Sequence, residues 1–259
     1  MRDVIVTAHS GCEGTPRDSL ESVFRAVQCG ADAVEVDVRM DETGILRISH
    51  DHKKTLEEYT QCNTLQEVFA AVAQTSLRVN CDMKEAELAH EVIALARAYG
   101  LSRERLWMTG AVSPEQLVRE PGLRDHVTFF VNIEEIFKFQ YLQETPEFPL
   151  AEFGTLMNIP WTYTKDWMEC ITPERVRRAA VLYRAIGADG INIPQWNLTE
   201  DLFRAFAEAE IPLSVWTVDE VAVARQILTQ KVSSVQNITT RQVQMVQRVR
   251  DEVRSAGPN

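Results

Sequence analysis

The 259-residue chain predicts a single-domain (β/α)8 TIM barrel of the α/β class. Strand-like and helix-like segments alternate from end to end, they form eight pairs, and no linker-like, repeated or low-complexity segment interrupts them. Alternation of this kind implies a parallel sheet, and eight successive units suffice to close it into a barrel. A doubly wound open sheet is the alternative. No G-x-G-x-x-G or P-loop supports it.

The first strand is Val4–Ala8, running into His9. Asp18 or Ser19 can cap a helix with apolar positions Leu20, Val23, Phe24 and Val27, stopped by Gly30. The second strand, Ala33–Val38, is followed by Ile45–Ile48 running into His50 and Asp51. Leu65, Val68, Phe69 and Val72 mark the next helix, Leu77–Lys84 the next strand, and Leu88, Val92, Ile93 and Leu95 the helix after it. Further strands are Leu106–Thr109, Val127–Asn132, Gly190–Ile193, Leu213–Thr217 and Val232–Asn237, with helices over 173–186, 200–209 and 219–229. The barrel is expected over 1–254, with a disordered tail at 255–259. The stretch 133–172 breaks the alternation and is rich in aromatics, among them Trp161, Tyr163 and Trp167. A long connection of this kind is read either as a lid or specificity loop, or as helices packed on the barrel wall.

Composition narrows the functional class. Hydrophobic residues at 45% and charged residues at 25% are those of an ordinary soluble globular protein. A net charge of −11 argues against nucleic acid as a partner, because that binding needs a basic footprint. Met1 leads within three residues into a core strand, leaving no room for a signal peptide, and no apolar run has the roughly 18 residues of a membrane span. The cysteines at 12, 29, 62, 81 and 170 are odd in number and lack C-x-x-C spacing. They are read as reduced, buried thiols of a cytoplasmic protein, with neither a disulfide frame nor a zinc site.

The chemistry follows from strand periodicity. Side chains two apart share a face, so Glu35 and Asp37 do, and so do Asp82 and Lys84. His9, Asp37, Lys84, Thr109, Asn132, Asn192, Trp216 and Asn237 fall at the carboxyl ends of strands, where barrels place their active sites. Glu35, Asp37 and Asp82 could be solvated acids at exposed ends. Their flanking apolar residues instead turn the carboxylates into the barrel mouth. Clustered acids repel one another unless a cation sits among them, and an all-oxygen set suits Mg2+ or Ca2+. His9 and His50 beside these acids suit proton transfer at neutral pH, because the reference pKa of an imidazole side chain is about 6.5. His52, His90 and His126 fall off the strand ends and are expected on the surface. Lys84 can both pair with Asp82 and grip an anionic substrate. Trp216 is read as a substrate contact or as packing at the mouth.

These residues resemble a known pattern. Ala8-His9-Ser10-Gly11 and Pro16-Arg17-Asp18-Ser19 are similar to the two opening motifs of the glycerophosphodiester phosphodiesterase family. Gly30 through Val38 resembles its metal-binding Glu-x-Asp strand, Gly44 through Asp51 its second-histidine hairpin, Asp82-Met83-Lys84 its Glu-x-Lys, and Val215 through Val218 its penultimate strand. The resemblance implies a metal-dependent phosphoric diester hydrolase that cleaves a small glycerophosphodiester to an alcohol and glycerol phosphate. It implies one divalent cation, Mg2+ or Ca2+, on Glu35, Asp37 and Asp82, with His9 and His50 as acid–base pair. Lys84, Trp216 and Arg17 would contact substrate, Arg17 standing in for the arginine that Ser10 replaces. Other departures are Arg17-Asp18 for Glu-Asn, the shorter Asp82 for glutamate, and no room for an insertion domain between Asp51 and Asp82. The last two are similar to the sphingomyelinase D branch, which is usually secreted and disulfide-bonded. The alternatives are therefore a phospholipase D-like enzyme on lysolipids or sphingolipids, or a non-catalytic phosphate-ligand-binding barrel. Retention of both histidines and all three acids argues against the latter.

Overall fold

A computed structural model describes residues 4–136, 171–230 and 233–256. Most of the 133–172 stretch, with Trp161, Tyr163 and Trp167, lies outside the described residues, as do residues 257–259. In chain order the strands are β1 (Ile5–Ala8), β2 (Ala33–Met40), β3 (Leu46–Ile48), β4 (Arg78–Met83), β5 (Leu106–Gly110), β6 (Thr128–Asn132), β7 (Gly190–Pro194), β8 (Leu213–Trp216) and β9 (Val235–Thr240). The helices are α1 (Leu20–Gln28), α2 (Leu56–Thr60), α3 (Leu65–Val72), α4 (Ala89–Ala98), α5 (Pro114–Arg119), α6 (Pro173–Ile186), α7 (Glu200–Glu208), α8 (Val221–Leu228) and α9 (Val243–Ser255).

Among the described residues, eight strands pair in parallel in the order β1-β9-β8-β7-β6-β5-β4-β2, and β1 pairs again with β2 to close the barrel. β3 is the exception. It lies antiparallel on the outer end of β2, with Val38 opposite Ile48, and Ser49 N–H donates to Asp37 O at 2.9 Å. That hairpin delivers His50 to the mouth of the barrel. The short α2 follows it, an element the apolar spacing of the sequence does not announce.

Two faces of each strand do different work. The outward set, including Val34, Val36, Val38, Val79, Cys81, Met108, Phe129, Ile191, Val215 and Ile238, is buried beneath the helices. Helix ends are fixed by local chemistry. Ser19 accepts from Ser22 N–H to start α1, Thr64 and Glu67 form a capping box on α3, and Gly187 closes α6 in the left-handed conformation. The inward set is polar. Thr7 Oγ1 donates to Asn237 Oδ1 at 2.6 Å, and Asn237 Nδ2 donates to Ser214 Oγ at 2.9 Å and Thr239 Oγ1 at 3.1 Å. Lower in the barrel Trp107 packs on Phe130 with centroids 5.2 Å apart, and Gly190 leaves the room that ring needs. A Cβ on Gly190 would stand 2.3 Å from Phe130 Cε1.

Asn237 corrects one expectation. β9 runs on through the β-branched Ile238, Thr239 and Thr240, so Asn237 is a fully buried interior residue and not a strand end. Truncating it would strand the Thr7 and Thr239 hydroxyls in the interior. Asn237→Ala is expected to destabilise the protein by about 1–3 kcal/mol. Urea unfolding measures this, and an unchanged midpoint would show that the interior network contributes nothing.

Candidate active site

A cleft of about 630 Å3 opens at the carboxyl ends of the barrel strands, lined among others by His9, Arg17, Glu35, Asp37, His50, Asp82, Lys84 and Trp216. Every residue assigned from the sequence to metal binding, acid–base catalysis or substrate contact therefore borders one cavity. The register explains the acid cluster. β2 and β4 are direct neighbours with Asp37 opposite Asp82, and Glu35 lies two residues earlier on the same face. One oxygen from each of Glu35, Asp37 and Asp82 lies within 4.8 Å of the others, so the three could hold a metal ion.

Among the described residues, Lys84 is the lysine or arginine paired with these acids. Lys84 Nζ pairs with Asp37 Oδ1 at 2.7 Å and with Asp82 Oδ2. Glu35 and Asp37 are 5% and 3% exposed, too little for water to screen them. Burial, reinforced by the Asp82 charge, pushes Glu35 up to about 7. Burial, reinforced by the Glu35 charge, pushes Asp37 up to about 8 despite its contact with Lys84. Lys84 is itself raised: burial works against its charge, but Asp82 and Asp37 outweigh it. Three acids and one lysine leave a charge deficit that a hard divalent cation would fill, so the residues fit that ion. Thr109 Oγ1 donates to Asp82 Oδ1 at 2.8 Å and fixes its orientation. Gly110, at φ +79, leaves space for it, since a Cβ there would lie 2.7 Å from Asp82 Oδ1 and 2.4 Å from Met83 O.

His9 follows β1, half-buried, with Nδ1 3.1 Å from Ser10 O and 3.8 Å from Glu35 Oε2. A carbonyl only accepts, so Nδ1 carries the proton in that contact and Nε2 keeps its lone pair. His50 is exposed, its Nδ1 2.9 Å from Asp51 Oδ1, which likewise leaves Nε2 for proton exchange. Arg17 is exposed at the rim beside Gly11. Ser10 is buried, donating its N–H to Glu35 Oε2 at 3.0 Å and its hydroxyl to Asp18 Oδ1 at 3.1 Å. Trp216 stands edge-on to the exposed Trp196 with centroids 5.6 Å apart. Asn192, in the amide orientation that suits its neighbours, donates to Ser214 Oγ at 2.9 Å and accepts from Trp216 Nε1 at 3.1 Å. His52, His90 and His126 are on the surface. Cys12 and Cys81 are buried as expected, whereas Cys29 and Cys62 are half-buried.

Sequence reasoning missed several neighbours. Arg241 follows β9 into the cleft, where its N–H donates to Asp219 Oδ1 at 2.7 Å. Arg39 Nε and Nη2 donate to His50 O at 3.2 and 3.0 Å, and its Nη1 donates to Glu85 Oε1 at 3.1 Å. Arg241 gives little signal, because the strand read from the sequence ends at Asn237 and only the observed end at Thr240 puts the arginine directly after it. Arg39 and Glu85 give none, because the pairing of β2 with β3 and with β4 is what brings Arg39 to His50 and Glu85 to Arg39.

The model of the glycerophosphoryl diester phosphodiesterase family matches residues 9–240. The chain belongs to that family, and its fold and enzyme class, a phosphoric diester hydrolase, follow from that membership. No curated protein sequence matches it. Among solved structures it is similar to a glycerophosphodiester phosphodiesterase from Thermotoga maritima, with 21% identity, 96% of this chain and 100% of that chain covered, and a TM-score of 0.59. A second, from Parabacteroides distasonis, shows 15% identity, 98% coverage of both chains and a TM-score of 0.64. A phosphodiesterase from Oleispira antarctica, solved with its product sn-glycerol-3-phosphate, shows 19% identity, 95% and 96% coverage and a TM-score of 0.64. Among the described residues, no helix is long and apolar enough to cross a membrane.

The raised acids give a pH signature. The native, metal-free protein holds protons on Glu35 and Asp37 that the unfolded chain releases near pH 4, so these groups destabilise it progressively as pH rises toward about 8. The melting temperature in chelator is expected to fall between pH 5 and pH 8. Added Mg2+ or Ca2+, which needs the ionised carboxylates, is expected to raise it more at pH 8 than at pH 5. A cation effect independent of pH would contradict binding at these acids.

Proposed function

We propose that the protein is a divalent-cation-dependent glycerophosphodiester phosphodiesterase working by histidine acid–base catalysis. The observation that carries the reading is the convergence of three carboxylate oxygens within 4.8 Å, in one cleft with Lys84, His9 and His50. Glu35, Asp37 and Asp82 would hold Mg2+ or Ca2+, which when bound supplies positive charge to a non-bridging phosphate oxygen. Lys84, fixed between Asp37 and Asp82, meets the same phosphate and stabilises charge that builds in the transition state. Arg17 and Arg241, which both line the cleft, give the substrate further positive charge. Ser10 gives none: it is uncharged, and its hydroxyl is engaged by Asp18.

Both histidines direct Nδ1 at an acceptor, so each exchanges its proton through Nε2. One removes the proton of the attacking oxygen and the other protonates the departing alkoxide. The Asp51 carboxylate, 2.9 Å from His50 Nδ1, holds the ring so that Nε2 is the nitrogen it presents. The product bound in the Oleispira antarctica relative, sn-glycerol-3-phosphate, is the half-product such a reaction would leave here. The small molecule expected as substrate is a glycerophosphodiester.

One observation favours a second reading. Trp196, 54% exposed, backs Trp216 at the mouth, and this aromatic pair suits a choline cation or the apolar part of a lysolipid. Hydrolysis of glycerophosphocholine and lysophosphatidylcholine, each with Mg2+, Ca2+ or chelator, separates the readings. Cation-dependent turnover of the first is expected. Turnover of the lysolipid alone would favour the phospholipase D-like enzyme, and binding without turnover a non-catalytic barrel. In that assay His9→Ala and His50→Ala are each expected to lower kcat by roughly 10²-fold or more, with the cation-induced rise in melting temperature retained. Near-normal turnover in either variant would remove that histidine from the acid–base role.

A further inference from the structure

His50 has an unusual support. β3 ends at Ile48, so the sheet ladder does not reach the histidine, and its imidazole is exposed. Its main chain is nevertheless held on both sides. The carbonyl accepts from Arg39, and the N–H donates to Asp18 Oδ2 at 2.9 Å. The other oxygen of the same carboxylate, Oδ1, accepts from Ser10 Oγ at 3.1 Å, while Asp18 N–H donates back to Ser10 Oγ at 2.8 Å. Ser10 directly follows His9 and is anchored through its own N–H to Glu35.

From this geometry we infer that Asp18 is a positioning residue, a staple that joins the His50 loop to the His9–Ser10 loop and sets the spacing of the two histidines. The staple rests on the acid–base reading of those histidines. A carboxylate suits the task because its two oxygens serve two donors that approach from separate loops, 8 residues away in sequence for Ser10 and 32 for His50. The backbone is committed to it as well. Asp18 holds φ at 50°, in the left-handed region that only Gly, Asn and Asp enter at modest cost. Such strain persists where surrounding contacts hold it, here the reciprocal pair with Ser10 and the bond to His50. Proton transfer needs reacting atoms placed to well under an ångström, so a loose His50 loop lowers turnover without removing any group that touches substrate.

The test compares Asp18→Ala, Asp18→Asn and Ser10→Ala in the full chain, reading kcat, KM and hydrogen exchange at the His50 backbone amide. Asp18→Ala is expected to lower kcat at least about tenfold, with KM within about threefold, and to speed His50 exchange at least about tenfold. Asp18→Asn keeps an acceptor for His50 and a donor for Ser10, and is expected to recover kcat to within about threefold of the parent. Wild-type kcat in Asp18→Ala, unchanged His50 exchange, or an Asn variant as slow as Ala would each overturn the staple. The last result would assign the effect to charge. Should Asp18→Ala fail to fold, Ser10→Ala carries the test: an intermediate loss of kcat supports the staple, and parental kcat overturns it. A parent protein that turns over no diester would count against the phosphodiesterase reading, and the exchange rates alone would then decide the staple.

Discussion

The site is organised around an electrostatic deficit. Glu35, Asp37 and Asp82 meet on the inward face of the paired strands β2 and β4, the first two almost fully buried, with Lys84 joining Asp37 to Asp82. Like charges brought together out of water either take up protons or gather a counter-ion. The fold shows the first response in the raised Glu35 and Asp37, and the arrangement is suited to the second. Much of the surrounding structure serves this arrangement: Thr109 and the Ser10 amide orient the carboxylates, and Gly110 leaves space for one of them.

The barrel makes such a cluster possible because its two strand faces are decoupled. Apolar side chains on the outward face are buried beneath the helices and supply the core. The inward face is thereby released for polar residues, provided they satisfy one another. Thr7, Asn237, Ser214 and Thr239 do so below the mouth. The acids sit above that network, where the lining gives way to the cleft. Stability and chemistry are thus carried by alternate residues of the same strands.

That alternation is also why so much was legible in the sequence. Strand–helix order and period-2 spacing were enough to place Glu35 with Asp37 and Asp82 with Lys84, and the closed barrel then brings both pairs to one cleft. What escaped was long-range and loop-borne. Asp18 read as a helix cap and Arg39 and Glu85 drew no reading, because only the folded loops set Asp18 and Arg39 on the His50 main chain and Glu85 on Arg39. Asn237 read as a strand end, because an isolated polar residue does not reveal that Thr239 and Thr240 prolong the ladder. Trp196 lay in no strand, so only its contact with Trp216 draws attention to it.

The claim at the centre is that the three carboxylates are a cation site. A crystal grown with Mn2+ in place of Mg2+, phased to show anomalous scattering, tests it directly. The expected result is one strong peak between Glu35, Asp37 and Asp82, with oxygen distances of about 2.0–2.6 Å. A map with no peak there, and Lys84 still bridging Asp37 and Asp82 at saturating Mn2+, would contradict it.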